Sequence, residues 1–359
     1  MINRFIKKHS KNLYIFFLFL SLILFFFSTD KVYAKSFNIK NIEVSKPFEI
    51  NFDKNKVIDE GFIKAFSELI SLITVSSDHK IIKKIKLNQI RGMIESFSIK
   101  EEKFIDEIYY VNLGVSFNKK KILNFLEKKN IFPSIPIKKN FLFIPIIIEE
   151  NKENLLVFSN NKFYDEWNND NESFYLIDYI LPTEDLEDLN LIKKQYDLIE
   201  QYDFKEITSK YYLDDSIIAL IFINQKTIRI LSRITVNDKV VLINQSFSNI
   251  DINNTDQLST IIKSLKIMYE DYWKNFNQIN TSIKLPIYIK VNSGDNLKVS
   301  RLENTLDEVN LIYDYFISKF DKDFIYYQII YNGTPDIFLK SMEKQNFNFN
   351  TQNKTWVLK

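Results

Sequence analysis

Three stretches of this chain, 141–148, 174–181 and 217–223, carry apolar side chains almost without alternation. A strand with one wet face alternates, so an unbroken run marks a strand buried on both faces. Such strands need helices above and below, and helical spacing is found between them. Leu186, Leu189, Ile192, Tyr196 and Ile199 fall on one stripe, and Leu258, Ile261, Leu265, Tyr272 and Phe276 line a long helix over 255–277. Strand and helix in alternation imply crossover connections and a parallel or mixed α/β sheet over 139–280. Two further strands are expected to pair across Asn237-Asp238, a good two-residue turn.

The flanking regions have a different pattern, and the expected fold class is α+β there and α/β in the centre. Region 35–132 reads β-α-β-β-α. It has a strand over 37–44 and a helix over 54–74 carrying Val57, Phe62, Ala65, Phe66, Leu69 and Ile73. A hairpin follows, whose second arm alternates through Tyr109, Val111, Leu113, Val115 and Phe117. Region 281–359 reads β-α-β-β-α-β, the ferredoxin-like split βαβ order, with Pro335 suited to the first turn of its second helix. A partial internal repeat links the two. Ile108-Tyr109-Tyr110 leads into a helix ending Leu126-Glu127-Lys128-Lys129-Asn130, and Ile325-Tyr326-Tyr327 into one ending Met342-Glu343-Lys344-Gln345-Asn346. The offset slips from 217 to 216 along the match.

Residues 1–34 read as an export leader: Arg4, Lys7, Lys8 and Lys11, an apolar stretch over 13–27, then Val32-Tyr33-Ala34 ahead of a cleavage point. The stretch is short of the ~20 residues a membrane-spanning helix needs, so cleavage after Ala34 is expected, leaving no membrane anchor. The leader takes five of the 48 Lys and Arg and one of the 46 Asp and Glu, so the remainder is close to neutral. That balance excludes the dense basic footprint of a nucleic-acid binder. The expected location is periplasmic or secreted. With no cysteine, the exported protein relies on packing rather than disulfides.

Counting narrows the chemistry. His9 leaves with the leader, so His79 stands alone, read as an exposed residue on a solvated helix. The glycines, Gly61, Gly92, Gly114, Gly294 and Gly333, never cluster as a phosphate loop requires. No catalytic residue, cofactor or metal ligand is therefore assigned. Glu184, Asp185, Glu187 and Asp188 read as first-turn acids behind a Thr183 cap. Asp165, Glu166, Asn168, Asp170 and Glu172 have oxygen ligands at alternate positions, yet lack the glycine that turns a calcium loop. Phe163, Tyr164 and Trp167 are the candidate partner-binding residues, as an exposed aromatic patch; packing of Phe163 and Trp167 on the sheet is the competing reading.

Ala65-Phe66 with Leu69, Phe143-Ile144-Pro145, Asn161 with Phe163 and Trp167, and Trp356 near the end occur in that order. The series resembles a family of exported proteobacterial proteins known only as a domain of unknown function. Lys162 and Phe163 stand where that family has Pro and Trp. The resemblance implies an exported, multi-module protein and supplies no catalytic residue. The first region also looks like small α+β modules of flagellar and outer-membrane accessory proteins. The expected role is a soluble binding or envelope-assembly factor with an envelope protein as partner. The alternative is a hydrolase of envelope material that uses two carboxylates, a mechanism needing neither His nor Cys.

Overall fold

A computed structural model describes residues 37–169, 172 and 174–359. The leader and its cleavage point lie outside the described residues, as does Asp170 of the acidic loop. Residues 37–359 form one compact unit built on three sheets.

The first sheet holds β1 (Asn38–Pro47), β2 (Ile94–Ile105) and β3 (Ile108–Phe117), antiparallel in the order β1-β3-β2. Helix α1 (Lys54–Ile73) covers one face and is opened by Asp53, whose side chain accepts from Asn55 N. It buries Val57, Phe62, Ala65, Phe66, Leu69 and Ile73 against Val44, Val111, Leu113 and Val115, as their helical spacing requires. Gly61 lets helix and sheet approach, because a Cβ there would stand 2.3 Å from Leu113 Cδ1. Short helices α2 (His79–Ile82) and α3 (Leu87–Met93) precede β2, and α4 (Lys119–Glu127) closes the module.

The central sheet contains β4 (Lys139–Glu149), β5 (Asn154–Leu156), β6 (Ile177–Ile180), β7 (Ser216–Asn224), β8 (Thr227–Val236) and β9 (Lys239–Ser248). Its order is β5-β4-β7-β8-β9, with β6 on the β5 side of β4. β4 runs parallel to both β6 and β7, so the sheet is mixed. Of the run 174–181, residues 177–180 form strand. Helices α5 (Lys162–Glu166), α6 (Leu186–Lys194) and α7 (Lys205–Thr208) lie in the connections. Helix α8 (Thr255–Phe276) packs Leu258, Ile262, Leu265, Tyr269 and Trp273 on Phe141, Phe143, Ile217 and Ile230. The opposite face, with Leu142, Ile144, Ile218 and Leu220, is covered by Ile192, Ile199, Phe204 and Ile207. β4 and β7 are therefore buried on both sides, which is why their sequences do not alternate. At the β8–β9 turn Asn237 and Asp238 both adopt left-handed φ, 47° and 62°, the twist a two-residue hairpin needs.

The third sheet comprises β10 (Leu285–Asn292), β11 (Ile312–Phe320), β12 (Phe324–Tyr331), β13 (Phe349–Asn350) and β14 (Thr355–Leu358), in the order β11-β12-β10-β14-β13. Helix α9 (Asn296–Glu308) and helix α10 (Pro335–Glu343) supply its crossovers. The ferredoxin-like order gains a strand here. A helical crossover returns the chain parallel to the strand it left, so β13 runs antiparallel to β10. A further turn then brings β14 beside β10 in the parallel sense, pairing Ile289 with Trp356.

The first and third sheets share the path β-α-β-β-α with strand order first-third-second. An offset of 216 superimposes their closing helices: caps Asn118 and Thr334, buried Ile122 and Phe338, buried Leu126 and Met342, and left-handed Asn130 and Asn346. In the strands the 217 offset is one residue out of register, since it sets buried Tyr109 against half-exposed Tyr326.

Candidate functional site

The residues that the sequence singles out in the centre converge on one buried knot. Between its pairing with β6 at 139–142 and with β5 at 147–149, β4 has no strand neighbour on that side among the described residues. Pro145 sits in the gap, where its missing N–H breaks no ladder bond. Its carbonyl accepts from Asn161 Nδ2 at 2.8 Å, and the carbonyls of Leu156 and Val157 lie 3.1 and 3.0 Å from the same nitrogen. Asn161 Oδ1 accepts from the N–H groups of Phe163 and Tyr164, capping α5. One fully buried amide thus closes a hole in the sheet and starts the helix that follows.

Phe163 and Trp167 are fully buried, and Trp167 stacks on Phe143 with centroids 3.8 Å apart. Tyr179 meets both Phe143 and Trp167 edge-on. Tyr164 is half-buried and donates its hydroxyl to the carbonyl of Pro182 at 2.7 Å. The expectation that these aromatics are exposed is corrected for Phe163 and Trp167, whose four-residue spacing serves the core between α8 and the sheet.

Behind this knot α8 carries a line of buried charge, Lys266, Glu270 and Lys274, spaced by fours. Lys266 Nζ lies 5.7 to 5.8 Å from the ring centroids of Trp167, Tyr175 and Tyr179, within cation–π range. Glu270 Oε1 accepts from the N–H groups of Leu176 and Ile177 at 2.9 and 2.8 Å, at the entrance to β6. Its Oε2 is 4.0 Å from Lys274 Nζ. Lys274 donates to the carbonyl of Ser71 at 2.5 Å, and neighbouring Asp271 accepts from Ser76 N and Oγ. The stripe therefore ties the end of α1 to the central sheet. Burial pushes the Glu270 carboxyl up to about 7, against the pull of Lys274. Burial likewise lowers Lys274.

His79 belongs to this seam, which corrects its reading as a residue on a solvated helix. It is half-buried, and burial together with the Lys274 charge holds its imidazole below the usual range. In the acidic run, Asp185 rather than Thr183 caps α6, accepting from Glu187 N and Asp188 N. Asp188 is buried and held by Lys210 Nζ at 2.6 Å. An open cleft of about 380 Å³ lies beside this run, between 154–160 and Leu189. Among the described residues no group of three or more His, Asp or Glu side chains is placed to hold a metal ion.

Sequence reasoning passed over Lys266, Glu270 and Lys274. The signal was available: Leu258, Ile262, Lys266, Glu270 and Lys274 form a single i, i+4 series whose first two members are apolar. Set against models of protein families, the chain matches none, and no curated protein matches it.

Proposed function

We propose that this chain is an exported accessory protein of the cell envelope that works by binding a protein partner. The observation that supports the reading is the surface offered by its sheets. Each ends in a long edge strand with exposed large apolar side chains: Phe97 and Phe104 on β2, Val240 and Leu242 on β9, Phe316 and Phe320 on β11. Large apolar side chains exposed along the rim of a sheet are anchors for a protein partner. The strongly perturbed carboxyl, Glu270, is by contrast almost fully buried and committed to backbone N–H groups. The basic head, apolar stretch and Val32-Tyr33-Ala34 support export, and no helix among the described residues is long and apolar enough to cross a membrane.

Affinity capture from envelope extracts tests the binding role. A specific envelope protein retained by the native protein and lost on charging an exposed edge position is the expected result. Turnover of an envelope polymer by the purified protein would refute it. Mass spectrometry of the native protein is expected to find Lys35 at its N-terminus.

A further inference from the structure

The six sheet edges among the described residues are not alike. β2 is interrupted by register shifts at 94/96 and 99/101 and carries Glu95, Lys100, Glu101, Glu102 and Lys103. β11 has shifts at 312/314 and 317/319 and carries Asp314 and Lys319. β1 has a shift at 39/42 and ends at Pro47. β5 and β6, which share one edge, are three and four residues long, and β13 two. Bulges, charges, proline and brevity are the devices that keep an edge from pairing. β9 has none of them. It pairs with β8 from Val236–Lys239 to Thr227–Ser248 without a shift, and its one charge is Lys239, at its very start.

The first half of β9 exposes an apolar stretch, ahead of the exposed polar Asn244, Ser246 and Ser248. Val240, Val241 and Leu242 are 55%, 37% and 56% exposed. Ile243 and Phe247 pack toward α8, so the period of two turns Val240 and Leu242 to the other face.

From this we infer that β9 is a homodimer interface, at which two copies of the chain pair their β9 strands antiparallel about a two-fold axis near Leu242. The inference rests on the binding role proposed above and names the partner for this one edge. In that register Leu242 faces its own counterpart, Val241 faces Ile243, and Val240 faces Asn244. Lys239 faces neutral Gln245, so no like charges are opposed across the pair. β2, with five charged residues and two register shifts, offers no comparable uncharged, regular stretch for self-pairing. An isologous contact also closes after two subunits, so an unguarded edge used in this way does not polymerise. The two six-stranded sheets become one of twelve strands, with Val240 and Leu242 of both copies grouped around the axis.

The chain has no cysteine, which makes the test direct. Opposed Cα atoms in an antiparallel pair are about 4.5–5.5 Å apart, within disulfide reach. Purified Leu242→Cys is expected to oxidise to a covalent dimer. Asn244→Cys is not, because four residues of stagger separate the two sulfurs by roughly 13 Å. Sedimentation of the unmodified protein is expected to give a dimer, and Leu242→Lys to weaken its dissociation constant at least about tenfold by opposing two ammonium groups. Leu242 is exposed, and an unchanged thermal midpoint of the variant's monomer shows that the fold survives. A monomer at every accessible concentration, or crosslinking equally efficient at both positions, overturns the inference. A monomer whose capture of an envelope protein is lost in Leu242→Lys also overturns it, giving the edge to a different strand and leaving the binding role intact.

Discussion

Trp167 lies face to face with Phe143, ring centroids 3.8 Å apart and planes 23° from parallel. The contact joins the segment between β5 and β6 to the central strand. Both rings are fully buried, and Tyr179 and Tyr269 complete the cluster. Truncating a buried Trp removes its transfer free energy and leaves a cavity. Trp167→Ala is therefore expected to destabilise the fold by about 3–5 kcal/mol. Urea denaturation followed by circular dichroism checks this; a variant as stable as the parent would show that the knot is not part of the core.

Asn161 holds that segment in place by saturating groups that nothing else reaches. Asn161→Ala strands the carbonyl of Pro145 and the N–H groups of Phe163 and Tyr164 in a dry interior. Each such orphan costs about 1–3 kcal/mol. Asn161→Ala is expected to cost at least as much as a single orphan, although it removes little apolar surface. Asn161→Asp retains the cap acceptor and loses the donor. A protonated Asp supplies a donor again, so that variant is expected to recover stability as the pH falls. Denaturation midpoints at two pH values distinguish these outcomes.

Glu270 gives a pH dependence whose sign follows from burial. Its carboxyl is raised from 4.5 to about 7 in the fold, so between those values the folded state binds the extra proton. Stability contributed by this group is present at acid pH, is lost as pH rises from 4.5 to 7, and stays lost above. His79, lowered from 6.5, acts in the opposite sense below that value, because there the unfolded chain binds the extra proton. The clean measurement is thus the difference between Glu270→Gln and the parent. The glutamine keeps an acceptor for Leu176 N and Ile177 N. Relative to the parent it is expected to gain stability steadily from pH 4.5 to 7, on the order of 1–3 kcal/mol in all. A flat difference curve would mean that Glu270 is ionised throughout.

These sites show where the sequence could be read and where it could not. The strands β4 and β7 were legible because burial on both faces leaves an unbroken apolar run, and the β8–β9 turn because Asn and Asp tolerate left-handed φ. The helical spacing of Phe163 and Trp167 was legible as well, but spacing alone does not say whether a face meets a sheet or a partner. His79 was misread because the charges that act on it, Lys274 and Asp271 on α8, arrive some 190 residues later in the chain. β13 escaped notice because two residues, Phe349 and Asn350, carry no periodicity. Asn161 stood in a recognisable motif, yet its work depends on a gap in the sheet that only the tertiary arrangement creates.

The shared β-α-β-β-α path of the first and third sheets allows one more comparison. Asn130 and Asn346 occupy matching positions after α4 and α10, with φ of 56° and 62°. The preceding backbone is bonded alike: Asn130 N to Glu127 O and Asn346 N to Glu343 O, each 2.9 Å, then Ile131 N to Leu126 O at 3.0 Å and Phe347 N to Met342 O at 2.9 Å. Left-handed φ costs an ordinary L-residue roughly 1–2 kcal/mol, Asn less, and glycine almost nothing. Asn130→Gly and Asn346→Gly are therefore expected to leave stability unchanged or slightly higher, since glycine is the preferred residue at this cap. Asn130→Val and Asn346→Val are each expected to lower it by about 1–2 kcal/mol, the β-branched side chain meeting the backbone at both sites. Equal penalties in the two modules, read from thermal midpoints, would mark the caps as equivalent parts of one repeated unit. A penalty confined to one module would confine the equivalence to the backbone path.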